Sequence, residues 1–169
     1  MRKLVVLKSI VDFIWIVCCI PLMLLLTVFL LLSFFKTESL SAMDSVNFMG
    51  FEGSKIAIIF RMVVLYIVTA LSVYSFFLFR KSLSYFMKAK PFHEKVILIF
   101  DQIGRYLVLV SLIGLFFSFL DQLLFSSKIV IGIGFWPYLF IACLGLFFKV
   151  LSEIFKIAKH AKEENQLTI

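Results

Sequence analysis

The run IVIGIGFWPYLFIACLGLFF, at residues 129–148, carries no charged side chain. Because an α-helix rises about 1.5 Å per residue, about twenty apolar residues cross a hydrocarbon core of about 30 Å. Apolar residues continue at helical spacing past Lys149, at Ile154 and Phe155, while lysines occupy the other side. The pattern therefore predicts a transmembrane helix that leaves the bilayer and ends in a polar C-terminal tail at 153–169.

The overall composition extends this prediction to the whole chain. Hydrophobic residues make up 63% of the sequence and charged residues only 16%, whereas soluble domains have about 25% charged residues. We therefore predict an all-α fold, a polytopic bundle of four transmembrane helices with cytoplasmic extensions, in a single domain over 1–169. The predicted spans are about 10–35, 56–79, 96–121 and 129–152. The first span has no signal-peptide cleavage site after it and is predicted to be uncleaved and bent by Pro21.

The distribution of basic residues predicts the orientation. Twelve of the 17 lysine and arginine residues lie at the N-terminus, between the second and third spans, or from Lys149 onward, and three lie on the other side. Basic residues mark cytoplasmic loops. We expect a multi-pass protein of the bacterial plasma membrane with both termini in the cytoplasm. The net charge of +7 then reflects topology, and no direct binding of nucleic acid is predicted.

Two charged residues near the start of the third span form a candidate pair. Asp101 and Arg105 are four residues apart and share a helix face. They are either an interfacial ion pair that anchors the depth of the helix or part of a polar site open to the cytoplasm. We expect the helix itself to begin at Pro91 or Phe92, and Arg61 of the second span to snorkel outward.

Small and hydroxyl side chains predict packing rather than chemistry. Gly145 and Ala142 allow close approach of a neighbouring helix, and Ser72 and Ser111 are expected to bond their own backbone. The cysteines lie inside apolar runs, and no CxxC motif is present. We predict no catalytic, cofactor or metal site and no enzyme.

Two segments resemble a known family. They are KPFHE at 90–94, followed by Phe100, Ile103 and Gly104, and LSEIF at 151–155, followed by EENQLTI at 163–169. With the four-span layout they resemble the YoaS-like family of uncharacterised bacterial membrane proteins. The resemblance implies no established activity. Genes of that family often lie beside a gene for a small helix-turn-helix regulator, which implies a membrane protein that binds or sequesters a small cytoplasmic transcription regulator.

The candidate residues for binding this partner lie in the two segments that carry the resemblance. They are Pro91, Phe92, Glu164, Asn165, Leu167 and Thr168. Asn165 is predicted to end the helix in a left-handed cap, which leaves 166–169 extended, either to bind a partner or to fold back and staple the Pro91–Phe92 turn. The basic amphipathic segment 151–162 could equally lie on anionic lipid.

A small transporter or channel subunit, acting as an oligomer, is the alternative function. The apolar middles of the four spans and the absence of an internal repeat argue against it.

Overall fold

Four long helical rods make up the described part of the chain. The computed structural model describes residues 2–35, 55–88, 93–123 and 135–167. The helices are α1 (Arg2–Ile14), a π-helical turn (Trp15–Cys19), α2 (Ile20–Phe35), α3 (Lys55–Met87), α4 (Glu94–Asp121) and α5 (Trp136–Leu167). We call α1, the π-turn and α2 together the first rod. The described residues contain no strand, and the predicted all-α fold is confirmed.

Each rod is long and apolar enough to cross a membrane. The four spanning stretches are Lys3–Leu31, Ile59–Met87, Glu94–Leu120 and Trp136–Glu164. At about 1.5 Å per residue each is about 40 Å long, which exceeds a hydrocarbon core of about 30 Å. The rods therefore reach beyond the bilayer, and the protein is a multi-pass membrane protein. The predicted start of the fourth span at residue 129 lies outside the described residues.

The π-turn in the first rod has its cause in Pro21. The backbone N–H of Ile20 donates to the carbonyl oxygen of Trp15, five residues earlier. Pro21 has no N–H, and its ring crowds the carbonyl of residue 17, so a regular α-helical turn is disfavoured there. The helix widens by one residue on the N-terminal side of the proline instead.

The rods pack in chain order. Across the described residues the first rod contacts α3, α3 contacts α4, and α4 contacts α5, while the backbone of the first rod does not approach α4 or α5. We call the end that carries Asp12, Arg80 and Asp101 the basic end. At the opposite end the rings of Phe60 and Phe117 lie 5.7 Å apart, which fixes the antiparallel register of α3 and α4.

The buried core lies at the basic end. Its members are Leu78, Val96, Ile99, Phe100 and Ile103. By contrast, Val11 is the only buried residue in the stretch 3–31 of the first rod. Lipid is as apolar as leucine, so the hydrophobic effect cannot drive helices together inside a bilayer. The core therefore depends on van der Waals packing among α3, α4 and α5, and Met62 and Val110 are buried farther along α3 and α4.

Two predicted helix boundaries are wrong. α4 begins at Glu94 with His93 as its N-cap, where Nδ1 of His93 accepts a hydrogen bond from the backbone N–H of Lys95 at 3.2 Å. The expected start at Pro91 or Phe92 is therefore too early. α5 remains helical through Asn165 to Leu167. Because the helix continues, Asn165 does not form the predicted left-handed cap, and residues 166 and 167 are not extended.

Candidate functional site: a charged groove between α4 and α5

α4 and α5 cross at two glycines. A Cβ atom added to Gly104 would lie 2.7 Å from the carbonyl oxygen of Gly145 and 3.0 Å from the backbone nitrogen of Lys149. A Cβ atom added to Gly145 would lie 2.9 Å from the backbone nitrogen of Val108. These distances leave no room for a side chain at either position. The close helix contact predicted from Gly145 is confirmed, and Gly104 is its counterpart.

A groove of about 590 Å³ opens beside this crossing, at the basic end. Its lining residues from α4 are Glu94, Ile97, Leu98 and Asp101, and those from α5 are Leu146, Lys149, Val150, Ser152, Glu153, Lys156, Lys159 and His160. The hydroxyl of Ser152 donates to the carbonyl oxygen of Ile97 at 2.8 Å. This bond joins the two walls, so the groove is built into the α4–α5 pair.

Asp101 and Arg105 form an ion pair on α4. Nη2 of Arg105 donates to Oδ2 of Asp101 at 2.8 Å. The side chain of Arg105 is 66% exposed and that of Asp101 is 35% exposed. Asp101 lines the groove, whereas Arg105 does not. The carboxylate of Asp101 thus pairs with Arg105 and also lines the groove.

The other charged side chains of the groove include one that has an ion-pair partner and four that have none in the described part of the chain. Nζ of Lys159 lies 3.7 Å from Glu163. Among the described residues, Lys149, Lys156, Glu94 and Glu153 form no ion pair. The groove therefore offers charges of both signs that a bound group could neutralise.

Only some of the predicted partner-binding residues lie in the described part of the chain. Glu164 is exposed near the end of α5, and Asn165 and Leu167 belong to its last helical turn. Pro91, Phe92 and Thr168 lie outside the described residues, and so does the proposed staple between the tail and the Pro91–Phe92 turn. The groove, which is lined by other residues, was not predicted from the sequence beyond Asp101.

The sequence analysis missed an ion pair between helices. Nε of Arg80 donates to Oδ1 of Asp12, which links α3 to α1 at the basic end. A signal was present: Asp12 is the last charge before the first apolar run, and Arg80 is the first charge after the second. Antiparallel neighbours would bring these two positions to the same depth.

Arg61, near the start of α3, is largely covered by protein. This residue is only 9% exposed, and its neighbour Met62 is 4% exposed. Both positions lie on the face of α3 that is covered by protein. The exposed fraction does not give the direction of the guanidinium group, so outward snorkelling of Arg61 stays a prediction.

Serine hydroxyls inside the spans donate hydrogen bonds to carbonyl oxygens of their own helices. The hydroxyls of Ser72, Ser75 and Ser111 donate to the carbonyl oxygens of Val68, Leu71 and Val108, at 2.8, 3.0 and 2.8 Å. The expectation for Ser72 and Ser111 is confirmed. A hydroxyl engaged in this way has its donor satisfied without a partner on a neighbouring helix.

Comparison with known proteins gives one result. No match was found among curated proteins or among solved structures. A family profile matches residues 7–169 and so covers nearly the whole chain, including all four rods and the groove. The chain therefore belongs to the family described as "Protein of unknown function (DUF2975)".

Proposed function

We propose that this membrane protein is a regulatory interaction module whose basic end faces the cytoplasm and binds a small helix-turn-helix DNA-binding protein. The observation that carries the proposal is the length and exposure of α5. This helix continues to Leu167, about 27 Å beyond Lys149 at about 1.5 Å per residue. It therefore carries a surface well away from the apolar run.

The exposed row on α5 is suited to recognition. Val150, Ile154 and Ile157 are 57%, 54% and 65% exposed, and their spacing of four and three residues places them on one helix face. Phe155, on the opposite face, packs against Phe86 and Phe100. Helix-in-groove recognition uses apolar anchors at such spacing. A helix-turn-helix protein, which is made of short amphipathic helices, could supply the complementary apolar surface.

The identity of the partner and the orientation have separate support. The resemblance to the YoaS-like family supports a small DNA-binding regulator. The bias of twelve among 17 basic residues supports a cytoplasmic basic end. A reporter fused after Ile169 that is active only in the periplasm would exclude this function.

Affinity purification from native membranes tests the proposal. We expect the wild-type chain to retain a small DNA-binding protein, and the double variant Ile154→Glu/Ile157→Glu to lose it. The matched control is Ile154→Val/Ile157→Val, which keeps the row apolar and should retain the partner. Removal of residues 165–169 tests the tail by itself. Because the proposal assigns the main contact to Val150, Ile154 and Ile157, the truncated chain should still retain the partner. Failure of the wild-type chain to retain a DNA-binding protein, or equal retention by the Glu and Val variants, contradicts the proposal.

A further inference from the structure

We propose that the groove between α4 and α5 binds the headgroup of a phospholipid that carries a primary ammonium group, such as phosphatidylethanolamine. This inference does not rest on the proposed function. The groove shares Val150 with the exposed row of α5, but neither Ile154 nor Ile157 lines it.

The position of the groove fits a lipid. Lys149 is the first charge after the apolar run 129–148, so the groove begins where the hydrocarbon core meets the headgroup region. Leu146, which precedes Lys149 by three residues, is 56% exposed, and Leu98 and Val150, which lie beside the charged residues, are 58% and 57% exposed. Leu146 can contact acyl chains at the membrane side, while Lys149 and the charged residues beyond it on α5 contact the headgroup.

The order of charges along α5 fits a zwitterion. Lys149, Glu153 and Lys156 follow one another at helical spacing and all line the groove. A phosphate can accept hydrogen bonds from a lysine ammonium, and a primary ammonium can donate to a carboxylate. One turn of helix separates Lys149 from Glu153, about 6 Å along the axis. A headgroup in which phosphate and ammonium are joined by a short linker can therefore reach both side chains.

The balance of positive and negative side chains in the groove argues against binding of a purely anionic group. Its acids are Glu94, Asp101 and Glu153, and its lysines are Lys149, Lys156 and Lys159. A purely anionic group would approach as many carboxylates as ammonium groups, and like charges at short range repel it. A zwitterion can neutralise unpaired groups of both signs.

The size of the groove is also suitable. Its volume of about 590 Å³ lies within the range of about 300–1,000 Å³ that is usual for small-molecule sites. The bond from Ser152 to the Ile97 carbonyl holds the two walls together. The site is thus pre-formed by protein contacts.

Native mass spectrometry of the purified full-length protein tests this inference. The probes are phosphatidylethanolamine, phosphatidylcholine, phosphatidylglycerol and water-soluble glycerophosphoethanolamine. We expect phosphatidylethanolamine to be retained about tenfold better than the other two lipids, because a quaternary ammonium cannot donate a hydrogen bond and phosphatidylglycerol has no ammonium. Equal retention of the three lipids overturns the inference. Binding of the soluble headgroup as tightly as the lipid also overturns it, because the site would then be one for a soluble small molecule.

Charge variants identify the groove as the site. Lys149→Gln should reduce retention of phosphatidylethanolamine about tenfold, and Glu153→Gln should abolish its preference over phosphatidylcholine. The matched controls are Lys81→Gln and Glu164→Gln, which remove charges of the same two signs outside the groove. Lys149→Arg should restore binding and shows that a loss in Lys149→Gln does not come from misfolding. Equal losses in the groove variants and in the controls contradict the proposed site.

Discussion

Asp12 and Arg80 join the first rod to α3 through an ion pair, although 68 residues separate them in the sequence. Their side chains are 30% and 34% exposed. Just beyond the pair, the ring of Trp15 lies 5.5 Å from that of Phe77 and stacks on Phe76 at 6.3 Å. The ion pair and these rings attach the first rod at the basic end, and α2 packs against α3 farther along the rod.

A double-mutant cycle measures the strength of this attachment. We expect Asp12→Asn and Arg80→Gln to be coupled by about 1 kcal/mol in the free energy of unfolding, since partly exposed ion pairs contribute modestly. The double variant Asp12→Arg/Arg80→Asp should recover much of the loss. Unfolding by SDS titration in mixed micelles gives the free energies. Additive single effects would show that the two side chains do not interact.

Substitution of Phe100 tests the core at the basic end. Phe100 is 3% exposed, and its ring lies 5.5 Å from that of Phe155 and 6.0 Å from that of Phe86, so it contacts both α3 and α5. We expect Phe100→Ala to reduce the free energy of unfolding by about 3–5 kcal/mol. Phe140→Ala is the matched control, because Phe140 is 70% exposed and its loss should cost less than about 0.5 kcal/mol. Similar costs at the two positions would contradict the described core.

The glycine crossing predicts strong sensitivity to a single methyl group. Gly104→Ala places a Cβ atom 2.7 Å from the carbonyl oxygen of Gly145, which is backbone and cannot rotate away. We expect α4 and α5 to separate at a cost of about 1–3 kcal/mol. The melting temperature in detergent should fall, and the groove variants should no longer differ in lipid retention. Leu112→Ala, on an exposed face of the same helix, should leave the melting temperature nearly unchanged.

Ser152 should matter more than an ordinary helix serine. Its hydroxyl bonds a different helix, whereas the hydroxyl of Ser84 bonds Lys81 on its own helix. We expect Ser152→Ala to destabilise the protein by about 1 kcal/mol, because it removes a tertiary hydrogen bond at a buried position. Ser84→Ala should have little effect. If hydrogen exchange at the start of α4 were no faster in Ser152→Ala, the bond would not hold the walls together.

Features set by local spacing could be predicted from the sequence. The apolar runs predicted four spanning helices because the length of a helix that crosses a bilayer is fixed by geometry. The positions of Asp101 and Arg105 predicted a shared helix face, because residues four apart are neighbours on any α-helix. Gly145 predicted a close contact for a similar reason, since a missing side chain allows backbones to approach in any partner arrangement.

Features that join distant parts of the chain could not be predicted in this way. The bond from Ser152 to Ile97 connects residues that are 55 apart, and the Asp12–Arg80 pair spans 68. Both depend on which helices are neighbours and on how each is rotated about its axis. Because the spans have apolar residues on every face, the sequence does not indicate how each helix is rotated about its axis. Gly104 entered the sequence analysis only through the family resemblance, although it forms the crossing with Gly145.

Among the helices that the structure describes, the first rod packs against α3 alone, which has a consequence for handling the protein outside a bilayer. Detergent molecules compete with lipid-exposed helix contacts, but they compete poorly with side chains that protein already covers. As micelles become harsher, the three C-terminal helices should stay associated through Phe100 and its neighbours, and the N-terminal segment should detach first. A purified sample could then retain its full helical content and one folded unit while having lost part of its native arrangement.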